Sequence, residues 1–181
     1  GMGFMTFDRK HPGYTGQLNH QCVTIAEALK GAGYQTGMTG KWHLTLNYMP
    51  EDPKDNWPVQ RGFDSFYGTV RGSASYYDPM TLTRQNTPLS AFADPEYKPD
   101  TFYYTNAITR HAVKFIEENA SEDQSDPFFL YVSYTAPHWP MHALEEDIER
   151  YAGKYDNGYR PIREARYERM KELGIIPKHW A

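Results

Sequence analysis

The chain has 181 residues and a formal net charge of −4, with 39% hydrophobic and 15% aromatic residues. That length suits one domain, or a piece of a larger one, with a real core. The interspersed charges exclude the clustered basic face of a nucleic-acid binder, the single Cys22 excludes an internal disulfide or a cysteine-rich metal site, and no stretch approaches the roughly 20 apolar residues of a membrane span.

Residues 1–20, rich in Gly, His, Pro and polar groups, read as loop. Gly1-Met2 fits either a tag scar before a start codon or native sequence, and no export signal peptide stands in the chain. Thr24 is a helix N-cap with Glu27 completing a capping box. Ile25, Ala28, Leu29 and Ala32 then fall on one face, and Gly31 and Gly33 end the helix. Tyr34 to Thr39 follows as a short strand that delivers Lys41 and His43. Residues 47–100, rich in Pro, Tyr, Asp and Asn, form a long irregular excursion with room for short strand pairs. Their aromatic content argues against disorder. A second helix covers 103–119, with Ala107, Ile108, Ala112, Phe115 and Ile116 on its apolar side, and 120–127 is a polar linker. Phe128 to Tyr134 is a nearly continuous apolar run, the pattern of a strand buried on both faces of a parallel sheet. A short helix over 143–153 and a charged one over 161–173 close the chain, with Pro161 in the first turn of the latter and Gly174 after its end.

Helix, strand, helix, strand is an α/β order. The expected fold is a partial, mostly parallel sheet flanked by helices. We read 1–181 as a single partial domain: a helix–strand unit over 1–46, the excursion over 47–100, a second helix–strand unit over 101–142 and a helical segment over 143–181. Ligands of open α/β sheets bind beyond the carboxyl ends of the strands, and two chemistry-bearing runs sit there. Lys41 is a point charge able to bind a tetrahedral oxyanion. In extended chain, His43 shares its face while Trp42 turns into the packing, so His43 can move a proton beside the bound anion. His138, between Pro137 and Pro140, is an imidazole held in a fixed direction by restricted backbone and a candidate general acid. His142 is a weaker candidate. His11, His20, His111 and His179 carry no local pattern and read as surface or packing residues, as a surface Lys and structural His remain the plainer reading of each motif taken alone.

Together these segments resemble the type I sulfatases, close to the arylsulfatases of the alkaline phosphatase superfamily. Thr24-Ile25-Ala26-Glu27-Ala28-Leu29, then Ala32-Gly33-Tyr34 and Thr39-Gly40-Lys41-Trp42-His43-Leu44, is similar to one signature of that family. Arg61-Gly62-Phe63-Asp64-Ser65-Phe66-Tyr67-Gly68 resembles its next loop, and Phe128-Phe129-Leu130-Tyr131 leading into Pro137-His138-Trp139-Pro140 resembles its histidine motif. Tyr151 to Leu173 is similar to the segment that follows in bacterial members. The resemblance implies an alkaline phosphatase-like core and sulfate-ester hydrolysis by a formylglycine nucleophile with calcium. It implies that Lys41 bridges nucleophile and sulfate, that His43 assists sulfate release, and that His138 binds sulfate and protonates the leaving alcohol or phenol.

The chain departs from the family in carrying no Cys/Ser-x-Pro-x-Arg run, so formylglycine is absent, and Cys22 leads into Val23-Thr24 instead. Calcium ligands are not found: the adjacent Asp pair is missing, and Asp156-Asn157-Gly158, which mimics a metal motif, follows no apolar strand and fits a turn. Thr45 replaces the Gly that commonly follows Lys-Trp-His-Leu. The chain therefore reads as an internal segment of a sulfuric ester hydrolase, inactive alone, with the nucleophile elsewhere. The alternative is a non-catalytic truncated homologue acting through binding or assembly. A phosphoester hydrolase would need the same missing groups. The implied partners are a sulfate-ester small molecule or sulfated sugar, and a second copy or a complementing sulfatase segment over exposed sheet edges. Tyr76 and Tyr77 are placed to contact a sugar or aryl ring. Relatives are commonly exported, which leaves the localisation of this chain open.

Overall fold

The computed structural model describes residues 8, 10–72, 74–120, 126–177 and 179–180. The first residues of the loop expected over 1–20 and most of the linker expected over 120–127 lie outside them. The chain divides into two units, Gly1–His142 and Ala143–Ala181.

Helix α1, Ile25–Gly31, opens on the expected capping box. The Glu27 N–H donates to Thr24 Oγ1 at 3.0 Å and the Thr24 N–H donates to Glu27 Oε2 at 2.8 Å. At its end the N–H groups of Gly33 and Tyr34 close onto the carbonyls of Lys30 and Leu29 at 3.0 and 3.1 Å. The expected apolar face is not the buried one. Ile25 is 67% exposed, and the helix enters the core through Ala26, 1% exposed. A polar anchor takes the place of a wide apolar stripe. The buried Arg61 donates to Glu27 Oε1 at 2.8 Å, Asn56 Oδ1 at 2.8 Å and the Cys22 carbonyl at 2.9 Å, while Thr24 Oγ1 donates to the Arg61 carbonyl at 2.8 Å.

A five-stranded sheet carries this unit: β1 (Gln35–Lys41), β2 (Ser65–Thr69), β3 (Leu82–Arg84), β4 (Thr87–Pro88) and β5 (Phe128–Ser133), in the order β4-β3-β2-β1-β5. β1 lies at the centre of a parallel set, pairing with β2 and with β5, and β3 and β4 extend the sheet antiparallel from β2. The α/β reading holds, with two corrections. First, a parallel strand, β2, runs through the stretch expected to be irregular. Second, β5 is an edge strand rather than one enclosed on both faces. Among the described residues it pairs only with β1, its side chains are mostly half-buried, and Tyr131 is 47% exposed.

Side chains alternate across β1 and divide the core. Met38 joins Ala26, Trp42, Trp57, Phe63, Phe66 and Val70 in a cluster that includes the α1 contact. On the other face lies helix α2, Tyr104–Asn119, which packs on β1, β2 and β5. Its buried residues are Tyr104, Ala107, Ile108, Ala112 and Phe115, whereas Ile116, expected with them, is 41% exposed. Gly37 lies under the Phe115 ring, where a Cβ would come within 2.5 Å.

The second unit holds α3, Glu145–Glu149, and α4, Tyr159–Glu172. Neither has a buried residue. Pro161 occupies the first turn of α4, and Gly174, at φ 70°, closes its end as Ile175 N–H reaches the Met170 carbonyl at 3.0 Å.

Candidate active site

Lys41 is the last residue of β1. The residue before it must be glycine: Gly40 has φ 108°, and a Cβ there would lie 2.0 Å from the Ser133 carbonyl oxygen of β5. This close approach brings the ends of β1 and β5 together, the first with Lys41, the second leading to His138. Trp42 turns inward as expected, and its Nε1–H donates to the Asn56 carbonyl at 2.7 Å. His43 arrives by a different route from the one expected. The strand has ended, and His43 sits at φ 57°, left-handed backbone that a non-glycine residue seldom adopts. Its N–H donates to the Val70 carbonyl at 3.0 Å, just beyond β2. Its ring lies on Gly72, where a Cβ would fall 2.7 Å from Cε1.

His138 is exposed in the turn after β5, between cis Ala136–Pro137 and cis Trp139–Pro140 peptide bonds. Its N–H donates to the Thr135 carbonyl at 2.9 Å. Its carbonyl accepts from Met141 N–H at 2.9 Å and from the Tyr76 hydroxyl at 2.7 Å. The imidazole Nδ1 lies 2.7 Å from the Trp139 carbonyl oxygen. A carbonyl can only accept, so Nδ1 carries the hydrogen and Nε2 is left for other partners.

Tyr76, expected to meet a sugar or aryl ring, faces inward. It is 1% exposed and holds the His138 turn from below. Its N–H also donates to His142 Nδ1 at 3.3 Å, and the Tyr103 hydroxyl donates to the His142 carbonyl at 3.1 Å. The Tyr77 ring packs between Tyr103 and His142, with centroids 5.6 and 5.4 Å away. His142 is thus part of an aromatic buttress.

Burial lowers the pKa of His43 most, and the positive fields of Lys41, His138 and Arg71 lower it further. These four groups, drawn from the ends of β1, β2 and β5, form a nitrogen-rich cluster whose fixed positive charges are Lys41 and Arg71. Among the described residues none of them is ion-paired to a carboxylate. Such a cluster is suited to holding an anion and keeping one imidazole neutral beside it. Arg71 and Gly72 are the members missed in the sequence. Recognising β2 would have found them, because they follow a strand end as the other motifs do.

The donor set does not fit calcium, a hard cation that takes carboxylate and carbonyl oxygens. Nitrogen cations line the cluster, and no group of three or more His, Cys, Asp or Glu among the described residues could hold a metal. Asp156-Asn157-Gly158 lies in an exposed turn before α4, in the other unit.

The profile of the Sulfatase family matches residues 2–173. An arylsulfatase of Klebsiella aerogenes is 35% identical over 169 residues, which cover 91% of this chain and 34% of that protein. The crystal structure of Ps i-CgsB in complex with a neocarrahexaose superposes with TM-score 0.63 at 27% identity, over 82% of this chain and 33% of that one. A second solved protein, in complex with its substrate D-glucosamine-2-N,6-O-disulfate, gives TM-score 0.53 at 25% identity, over 77% of this chain and 24% of that one. The chain spans about a third of the length of the curated relatives it matches.

Proposed function

The chain belongs to the sulfatase family, and on that premise we propose that Lys41, His43 and His138 form the sulfate-handling wall of a sulfuric ester hydrolase. The observation that carries this reading is the convergence of the three, from the ends of adjacent parallel strands, in a cluster that is not ion-paired to a carboxylate among the described residues. Lys41 binds the sulfate oxygens as a point charge. His43, neutral at neutral pH, accepts a proton in the step that releases sulfate. His138, when protonated, presents Nε2–H to the bridging oxygen. As the S–O bond breaks, its electron pair stays on that oxygen and the proton follows from His138, so the alcohol or phenol leaves neutral. The nucleophile lies outside these residues, as do the ligands for a cation such as calcium.

The substrate class is a sulfate ester on an aryl or sugar group. The sugar reading draws support from the related protein solved with glucosamine disulfate. With no nucleophile of its own, the 181-residue chain binds sulfate esters without turning them over. Two measurements test this. Inorganic sulfate should raise the His43 pKa, followed by imidazole NMR, and Lys41→Ala should weaken its binding by about tenfold or more. Hydrolysis of 4-nitrophenyl sulfate with calcium present should not exceed the uncatalysed rate. Turnover by this chain would refute its dependence on an outside nucleophile, and sulfate that leaves His43 unmoved would refute the site.

A further inference from the structure

Arg71 belongs to the cluster and also to something the other three residues do not touch. It follows Val70, the residue whose carbonyl accepts the His43 N–H, and precedes Gly72, on which the His43 ring lies. Its backbone N–H is fixed to Thr81 Oγ1 at 3.1 Å. Its guanidinium lies over the Tyr48 ring, 4.4 Å from the centroid. Cation–π attraction to that ring favours this placement of the guanidinium. The side chain is exposed and has no carboxylate partner among the described residues. Beside it opens a cleft of about 270 Å³, lined by Tyr48, Arg71, Met80, Thr81, Pro88 and Leu89 among others. Lys41, His43 and His138 do not line this cleft. Arg71 is therefore the one charge shared between the cluster and the cleft.

We propose that Arg71 is a specificity residue that binds a second acidic group, a sulfate or carboxylate, of a substrate whose scissile sulfate rests on Lys41 and His43. The substrate class is then a polyanionic sugar or its equivalent, rather than a lone sulfate monoester. A planar guanidinium pairs such an oxyanion through two parallel N–H donors, which a neutral hydroxyl could not match. The apolar remainder of the cleft takes the part of the substrate that extends beyond the second acid. This inference rests on the sulfate reading of Lys41 and His43.

The test uses the 181-residue chain at fixed ionic strength, with inorganic sulfate, glucose 6-sulfate and glucose 3,6-disulfate titrated by NMR and calorimetry. The disulfate should bind about tenfold more tightly than the monosulfate. Arg71→Ala should lower disulfate affinity about tenfold more than monosulfate affinity, so that the preference is erased, and Arg71→Lys should keep part of it. Lys41→Ala should weaken all three ligands while retaining the preference. Equal affinity for the two sugars in the unaltered chain would overturn the proposal. So would an equal loss for both in Arg71→Ala, which would place Arg71 on the scissile sulfate. If inorganic sulfate leaves His43 unperturbed, the sulfate site itself fails and this inference falls with it.

Discussion

His111 is an imidazole that the proposed chemistry does not use, and its surroundings have removed its charge. It stacks on Tyr67 with ring centroids 3.5 Å apart, and its Nε2 is buried with no hydrogen-bond partner among the described residues. Burial, helped by Arg84 and Lys114 and opposed by Asp94 and Glu96, takes its pKa down to about 4. The unfolded chain binds this proton near the ordinary value of about 6.5. Between those values the unfolded state holds more protons, so stability rises with pH. His111 thus contributes stability that is whole above pH ~6.5 and is lost as pH falls toward about 4. His43 acts in the same direction. Glu27 and Asp64, whose pKa values lie below 4.5 and 3.8, add their losses only at lower pH. Urea unfolding from pH 7 to pH 5 should therefore show a falling midpoint. His111→Phe, which keeps the stack and cannot titrate, should flatten that fall, and an unchanged slope would mean that the fold does not lower the His111 pKa.

At the scale of elements, Arg61 explains how a short helix stays on the sheet. α1 buries one alanine, so its anchorage rests on the guanidinium that joins Glu27, Asn56 and Cys22. Arg61→Ala would leave the partly exposed Glu27 without its partner and the buried Asn56 Oδ1 without a donor, at a cost of about 1–3 kcal/mol. Arg61→Lys should recover only part, because one ammonium does not span three separate acceptors. Tryptophan fluorescence in urea reads the effect through Trp42 and Trp57. A loss under about 1 kcal/mol would mean that the network is replaceable by solvent. The same helix marks the boundary of what local sequence reveals. Its capping box and glycine end were legible because those contacts span a few residues. Its buried face was not, because the partner, Arg61, lies more than thirty residues away in the short 3-10 helix Val59–Arg61. β2 was missed for a related reason: five residues that include Gly68 carry little pattern, and that glycine is required by a distant backbone, since a Cβ there would fall 1.8 Å from the Gly40 carbonyl oxygen. Lys41, His43 and His138 stood out because each lies at or just beyond the end of a strand legible in the sequence, whereas Arg71 stayed hidden with the strand that delivers it.

For the whole molecule, the consequential feature is where the sheet stops. β3 and β4 continue it beyond β2, but beyond β5 there is no further strand among the described residues. β5 reads Phe128-Phe129-Leu130-Tyr131-Val132-Ser133, six residues without a charge or a proline. Edge strands that remain solitary usually carry such guards, because their unpaired N–H and C=O groups template another strand. Tyr131 and Tyr134, 47% and 44% exposed, add apolar surface beside that edge. We predict that this chain self-associates through β5. Sedimentation velocity should show a sedimentation coefficient that rises with concentration over the micromolar range. Tyr131→Lys puts a charge on the edge at an exposed position, so it should restore the monomer while circular dichroism stays unchanged. Ile175→Lys, a matched change at an exposed residue of the second unit, should leave association as it was. If the unaltered chain sediments as a monomer throughout, β5 is protected by means other than pairing. If both substitutions dissociate it equally, general surface hydrophobicity, rather than the open edge, drives the contact.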